Sequence, residues 1–451
     1  MFYALYFLTP KKLKNLTLLL FSLIFYFWGE PVYTLLLLFS IFTDFIFGKL
    51  IHKSFGTPNA KFWLICSITL NLTTLSFFKY TDFFIRTIND VLKTNIPLTN
   101  VPLPLGISFF AFQTMSYTID LYRGKAKVQN HIVPYATYVS MFPQLVAGPI
   151  VRYTSVANEL NDRKHTILQF SNGISRFVVG LAKKVLLANQ LGELSKILQN
   201  SMEQSIAIAW LGTISYALQI YFDFSGYSDM AIGLGKTLGF RFLENFEYPF
   251  ISKSISEFWR RWHISLGTWF KEYLYIPLGG NRVSRLKWFR NIFIVWFLTG
   301  FWHGANWNFI FWGIYFGLIL VFEKFFLLKW FENKPAFIAH IYTIFLVLIG
   351  FTIFEYENLS AMQMQLQNMF FLGNVTFSGV ETAYYLRSFF VLLIVSVFGA
   401  TPIPKKIALY VQKKYPYVSA VLESIMICIL LLLSTAYLID SSFNPFLYFR
   451  F

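Results

Sequence analysis

Apolar runs recur along the whole chain, separated by short polar loops. Candidate membrane spans lie at 15–29, 32–51, 61–79, 131–147, 174–190, 205–222, 338–355, 385–400 and 418–438. The stretches 102–122, 224–240 and 255–276 are also apolar, but Gly, Pro or ionisable residues interrupt them. That pattern predicts broken or re-entrant helices, which membrane depth tolerates only where protein or a water-filled cavity surrounds them. In 291–323 the middle is broken by Gly300, His303, Gly304, Asn306 and Asn308. The runs are near-continuous and lack the in/out alternation of ~10-residue strands, so a β-barrel is not expected. There is no internal repeat, low-complexity tract or long polar linker, and the whole of 1–451 reads as a single membrane-embedded domain.

Composition narrows the class further. Of 451 residues 56% are hydrophobic and only 13% are charged, about half the ~25% of soluble domains. A charged surface for a soluble enzyme cannot be built from that, and a disulfide scaffold or a disordered chain is equally excluded. The expected class is all-α and polytopic. Cys66 and Cys428 both sit in apolar segments and read as buried thiols, with no Cys-based zinc or redox motif. Lys11, Lys12 and Lys14 precede an apolar run without a small-residue cleavage site, so a cleavable signal peptide is not expected.

The net charge of +16 would suggest nucleic acid on a soluble protein. Here Lys and Arg sit in short loops, so they report topology and attraction to membrane lipids or a phosphate-bearing substrate, with no nucleic acid expected. Arg282, Arg285, Lys287 and Arg290 occupy 281–290; Lys324, Lys329 and Lys334 occupy 324–334; Lys405, Lys406, Lys413 and Lys414 occupy 401–415. By contrast 355–384 carries Glu355, Glu357 and Glu381 and no Lys or Arg. With the basic loops inside, 291–323 is a hairpin that returns to the cytoplasmic face. The same rule puts 355–384 outside and the C-terminal tail, 441–451, outside as well.

Four places carry chemistry. His303 lies 13 residues past Arg290, so a helix takes it ~20 Å into a ~30 Å hydrocarbon core. An ionisable residue at that depth marks function or a bonded core position, and a neutral imidazole there can serve as a base. Gly300 and Gly304 flank it at helical spacing and admit a close neighbour. His263 stands among Trp259, Arg260, Arg261 and Trp262, which reads as an interfacial segment or as a pocket wall with an arginine for phosphate. Asp223 and Asp229, with Ser225 and Ser228 between them, read as a buried polar network or an acid/base pair, and Gln113 with Asp120 reads the same way. The tail carries alternating aromatics, Tyr448 and Arg450, the composition of an interfacial anchor or of a short docking segment.

The ordered motifs Leu103–Phe110, Phe142–Tyr153, Gly180–Lys184, Asp223–Gly233, Glu257–Arg282 and Thr299–Ala305 resemble the membrane-bound O-acyltransferases, within them the bacterial alginate and peptidoglycan O-acetyltransferase branch. The likeness runs from about residue 20 to the C-terminus; one departure is a shortened N-terminus, whose first hydrophobic stretch is too brief to span. The resemblance implies a ring of roughly 11 transmembrane helices, with short or re-entrant helices around a thin central tunnel, in the bacterial inner membrane. It implies that His303 is the catalytic histidine and His263 the second. Trp302, Trp307 and Phe301 are expected to keep the tunnel apolar. Arg260, Arg261, Asp223 and Asp229 are expected in support.

The same resemblance implies acetyl-CoA as donor, no bound cofactor or metal, and a periplasmic or extracellular SGNH-type transferase as partner. Tyr448 resembles the C-terminal motif of a small protein that works with the related D-alanyl branch. It is expected to relay the acyl group, with Arg450 holding the tail. D-alanyl transfer to teichoic acid is the rival within the enzyme class. A transporter or flippase is the rival outside it, though a transporter predicts inverted repeats.

Overall fold

In the computed structural model, residues 1–146 and 148–440 are described. They are helical, and the only β pairing among them is an isolated parallel bridge between Ser205 and Thr376. Five helices are long and apolar enough to cross a membrane: Tyr33–Lys53, Pro58–Leu92, Trp307–Glu332, Ala336–Glu355 and Pro416–Asp440. A bent pair, Val380–Ser388 and Phe390–Gly399, makes a sixth. Contacts divide the chain into two compact units, one of Met1–Ile174 with Ala231–Leu243 and one of Ser175–Met230 with the residues from Glu244 on.

In the first unit, helix Ile107–Tyr122 is buried from Ile107 to Leu121. Such a helix must satisfy its polar side chains internally. Asp44 is the hub: its carboxylate accepts from Ser67 Oγ at 2.6 Å and Asn71 Nδ2 at 2.8 Å. Thr114 Oγ1 donates to Asn71 Oδ1 at 3.0 Å, which ties helices Tyr33–Lys53, Pro58–Leu92 and Ile107–Tyr122 together. Gln113 and Asp120 belong to this unit and lie on that buried helix.

Several expected spans are altered. The 131–147 run forms only the nine-residue helix Ile132–Ser140, ~14 Å long against a ~30 Å core. Pro143 follows, and proline disfavours helix both at its own position and at the one before it. The break expected in 224–240 does not occur, because helix Ile206–Thr237 runs straight through Gly226. Gly226 instead serves a crossing: a Cβ there would meet the Gly180 carbonyl, and one on Gly180 would meet the Gly226 carbonyl. The 385–400 span is bent by 60° at Phe389. Cys428 is exposed and Cys66 half-buried, so they are not the buried thiols expected. Helix Pro416–Asp440 shows most of its apolar surface to the outside, as a lipid-facing helix does.

The second unit is built on an aromatic core of Tyr221, Phe222, Phe258, Trp262, Phe309, Trp312, Phe316, Phe351 and Phe354. The expected hairpin is present as Arg285–His303 and Trp307–Phe322. Its arms touch backbone to backbone, since a Cβ on Gly300 would strike the Phe309 carbonyl and one on Gly313 the Trp296 carbonyl. Small residues permit that approach, the usual source of helix association in lipid. Beside the Gly180–Gly226 crossing, Asp229 binds Lys183 at 2.6 Å and Arg176 at 2.7 Å, and Lys184 pairs with Asp223. Arg176 also bonds Glu244. Asp229 therefore anchors a partly buried ion-pair cluster, and the buried Asp223 is paired with Lys184.

Two stability tests follow from this packing. Gly300→Val forces the hairpin apart and is expected to cost ~1–3 kcal/mol, read as a lower melting temperature in detergent; an unchanged midpoint would contradict the backbone contact. Asp223→Ala removes the carboxylate paired with the Lys184 ammonium and is expected to cost ~3–5 kcal/mol, with Asp223→Ala/Lys184→Met recovering most of it. Equal melting of the single and double variants would show that the pair is not buried as a unit.

Candidate active site

The segment after Ser254 makes the site because it cannot remain one helix. Ser254 caps helix Ile255–Arg261 by accepting from Glu257 N at 3.0 Å. Glu323 brings a carboxylate to the same N-terminus, accepting from Ile255 N at 2.6 Å and from Ser256 N at 3.1 Å, where the helix dipole favours negative charge. The chain then leaves helix at Trp262 and turns at His263, whose φ of 44° is left-handed. For a side chain branched beyond Cβ that conformation costs ~1–3 kcal/mol and persists only where its surroundings enforce it. Helix Ile264–Phe270 and a π-helical turn, Lys271–Tyr275, follow.

Asn245 enforces the turn. Its backbone carbonyl accepts from Ile264 N at 2.9 Å. Its side-chain Oδ1 accepts from Ser265 N at 3.1 Å and Ser265 Oγ at 2.9 Å, and lies 3.2 Å from His263 Nδ1. Asn245 is fully buried and His263 is 2% exposed. Phe224 meets the His263 ring edge to face at 4.6 Å.

His303 closes helix Arg285–His303. It is 6% exposed and lies edge-on to Trp312 at 5.0 Å and to Phe354 at 5.4 Å. One helical face, Ile292, Val295, Trp296, Thr299 and His303, looks into a cavity of about 360 Å³, and His263, Trp259 and Trp262 line the same cavity. Arg260, Gly267 and Lys271 are its exposed lining residues. Both histidines thus share one largely apolar chamber with cations at its rim. Its size is that of a small-molecule site.

The expected residues fall into three groups. His263, His303 and Arg260 come together at the cavity. Trp302 does not line it but sits between the histidines, its ring 6.2 Å from His263 and 5.1 Å from His303. Arg261 is turned aside into an ion pair with Glu257 at 2.9 Å. Phe301 and Trp307, expected along the passage, are not in the cavity wall: Phe301 stacks on Phe297 at 6.2 Å and Trp307 is 42% exposed. The reason is helical phase, because Phe301 lies two residues from His303 and so off its face. Tyr448 and Arg450 lie outside the described residues.

Trp259 lines the wall from the segment the sequence reads as a pocket wall, and Trp296, Thr299 and Lys271 join it without having been singled out for it by the sequence. The spacing of 292, 295, 296, 299 and 303 is a helical stripe ending on the histidine, a signal that was present but concealed by an apolar face on every side. Asn245 left no such signal, since 18 residues separate it from His263. No cluster of three or more His, Cys, Asp or Glu side chains suited to a metal occurs among the described residues.

Comparison with known proteins identifies the family. The family model for the membrane-bound O-acyltransferases matches residues 68–363. A probable alginate O-acetylase AlgI of Azotobacter vinelandii is 35% identical over 100% of this chain and 97% of that protein. A peptidoglycan O-acetyltransferase of Helicobacter pylori is 33% identical over 99% of the chain and 94% of its own length. A teichoic acid D-alanyltransferase of Bacillus subtilis is 27% identical over 56% of the chain and 68% of its own length. With two buried histidines on one chamber inside a multi-pass helical protein, and a family match across most of the residues that build it, the chain belongs to the membrane-bound O-acyltransferase family and is an acyltransferase.

Proposed function

We propose that the protein takes an acetyl group from cytoplasmic acetyl-CoA and moves it through the bacterial inner membrane for O-acetylation of an extracytoplasmic glycan. That glycan is peptidoglycan or an exopolysaccharide such as alginate, and the acetyl group is handed to a periplasmic or extracellular SGNH-type transferase. The observation that carries the reading is the pairing of His303 and His263 on one apolar chamber with Arg260 and Lys271 at its rim. Cations at the rim suit the phosphates of coenzyme A. An apolar interior suits its thin pantetheine arm and keeps water from the thioester. A ring of roughly eleven transmembrane helices with a central tunnel, forming one membrane-embedded domain, fits this route.

The chemistry needs one base. His303 takes the proton of a hydroxyl as its oxygen bonds to the thioester carbonyl carbon. The carbon–sulfur bond then breaks, and coenzyme A leaves as the thiol with that proton. His263 assists from the facing wall. Acetyl is favoured over D-alanyl because the acetyl-transferring relatives match along nearly the whole chain, the D-alanyl ones along about half.

The first hydroxyl is assigned to Tyr448. Positive-inside charge puts the tail on the outer face, where the acetyl group must emerge. A tyrosine hydroxyl is a poor nucleophile at its ordinary pKa of ~10 until a base activates it. An acetyl-tyrosine ester is a good onward donor, because phenolate leaves more readily than a sugar alkoxide. Arg450 holds the tail or steadies the oxyanion.

In purified protein assayed with labelled acetyl-CoA and its partner, His303→Ala is expected to lose ~10²–10⁴-fold in transfer, and His263→Ala less. Substantial transfer by well-folded His303→Ala would remove the base from the mechanism, and equal losses would reverse the ranking. Tyr448→Phe, which deletes one hydroxyl, is expected to abolish glycan acetylation in cells. Normal acetylation by that variant, or no acetyl on Tyr448 by mass spectrometry in a strain lacking the partner, would mean direct transfer to the partner.

A further inference from the structure

The histidine left without an assigned proton is His263, and its neighbours decide the question. Asn245 Oδ1 is identified as the oxygen by Ser265, whose backbone N–H can only donate and lies 3.1 Å away. An oxygen accepts only, so the His263 Nδ1 at 3.2 Å must carry the hydrogen of that bond. The other nitrogen, Nε2, then bears a lone pair. It is buried and makes no hydrogen bond among the described residues, although the ring lines the cavity shared with His303. A buried acceptor left unmatched costs ~1–3 kcal/mol, and a substrate donor in the chamber would remove that cost.

We propose that Asn245 is a positioning residue for acyl transfer: it holds His263 as the Nδ1–H tautomer and turns the Nε2 lone pair to the chamber, where it accepts a hydrogen bond from an N–H of the substrate. This rests on the acyltransferase reading. It makes His263 an acceptor, unable to donate to a developing oxyanion while neutral. The substrate donor is an amide N–H of the pantetheine arm, because the one hydrogen of the hydroxyl nucleophile goes to His303. Asn245 also closes the left-handed turn at His263 through Ile264 and Ser265, so ring orientation and tautomer are set by one side chain.

The test is nitrogen-15 NMR of histidine-labelled full-length protein in bilayers, with the His263 signals assigned by their loss in His263→Gln. The expected spectrum has Nδ1 protonated and Nε2 unprotonated; the opposite tautomer overturns the proposal. Kinetics supply the second reading. Asn245→Asp keeps an acceptor and is expected to retain Nδ1 protonation and activity within ~10-fold, whereas Asn245→Leu is expected to lose ~10–100-fold. With the pantetheine amide as donor, that loss is in KM for acetyl-CoA, and a loss confined to kcat would overturn that donor. A folded Asn245→Leu with both constants unchanged overturns the assignment, as does an Asn245→Asp protein whose Nδ1 has lost its proton. The spectrum needs no turnover, so an inactive wild-type protein with the expected tautomer would count against the acyltransferase reading alone.

Discussion

Backbone groups freed where a buried helix is interrupted must find partners in the protein, and the site exists because one helix is interrupted there at a tolerable cost. Ser254, Glu323 and Asn245 satisfy the exposed donors on either side of the interruption. Two of them act at the N-terminus of helix Ile255–Arg261, and the third spans the turn at His263. Without the interruption, His263 would point wherever a continuous helix sent it. With it, the ring stands on the wall of the chamber that His303 reaches from the neighbouring hairpin.

The hairpin answers the same constraint differently. It brings His303 to the end of a helix and seats it among Trp302, Trp312 and Phe354. Close backbone contact at Gly300 and Gly313 fixes the depth of that histidine more firmly than side-chain packing would, because a shift of either arm opens a gap or a clash at once. Asn306 then caps the turn by accepting from Trp307 N at 2.7 Å, and Asn308 ties the hairpin to helix Ala336–Glu355 by donating to the Phe354 carbonyl at 2.9 Å.

The polar residues away from the chamber do a different job. Asp44 with Ser67 and Asn71, and Asp229 with Lys183 and Arg176, hold helices together where lipid offers polar groups no alternative partner. Buried charge in such a chain marks either reaction or assembly, and the partner set separates the two. A carboxylate bonded to two cations belongs to assembly. A histidine ring on a cavity wall with a nitrogen left unbonded belongs to reaction.

Much was legible in the residues alone. Apolar run lengths dictated a helical membrane protein, because no other backbone arrangement survives without water except a closed barrel, and the hairpin followed from counting along helices. Local pattern also marked 255–276 as broken. The tertiary structure decided what local pattern has no access to. Gly226 looked like a breaker and proved to be a crossing point, since its role depends on Gly180 in another helix. Phe301 and Trp307 looked like tunnel lining, and helical phase with packing turned them away while Trp259 and Trp296 took the wall. Asn245 was invisible because its bond to His263 closes a loop of 18 residues, and a hydrogen bond between distant residues leaves no periodicity behind.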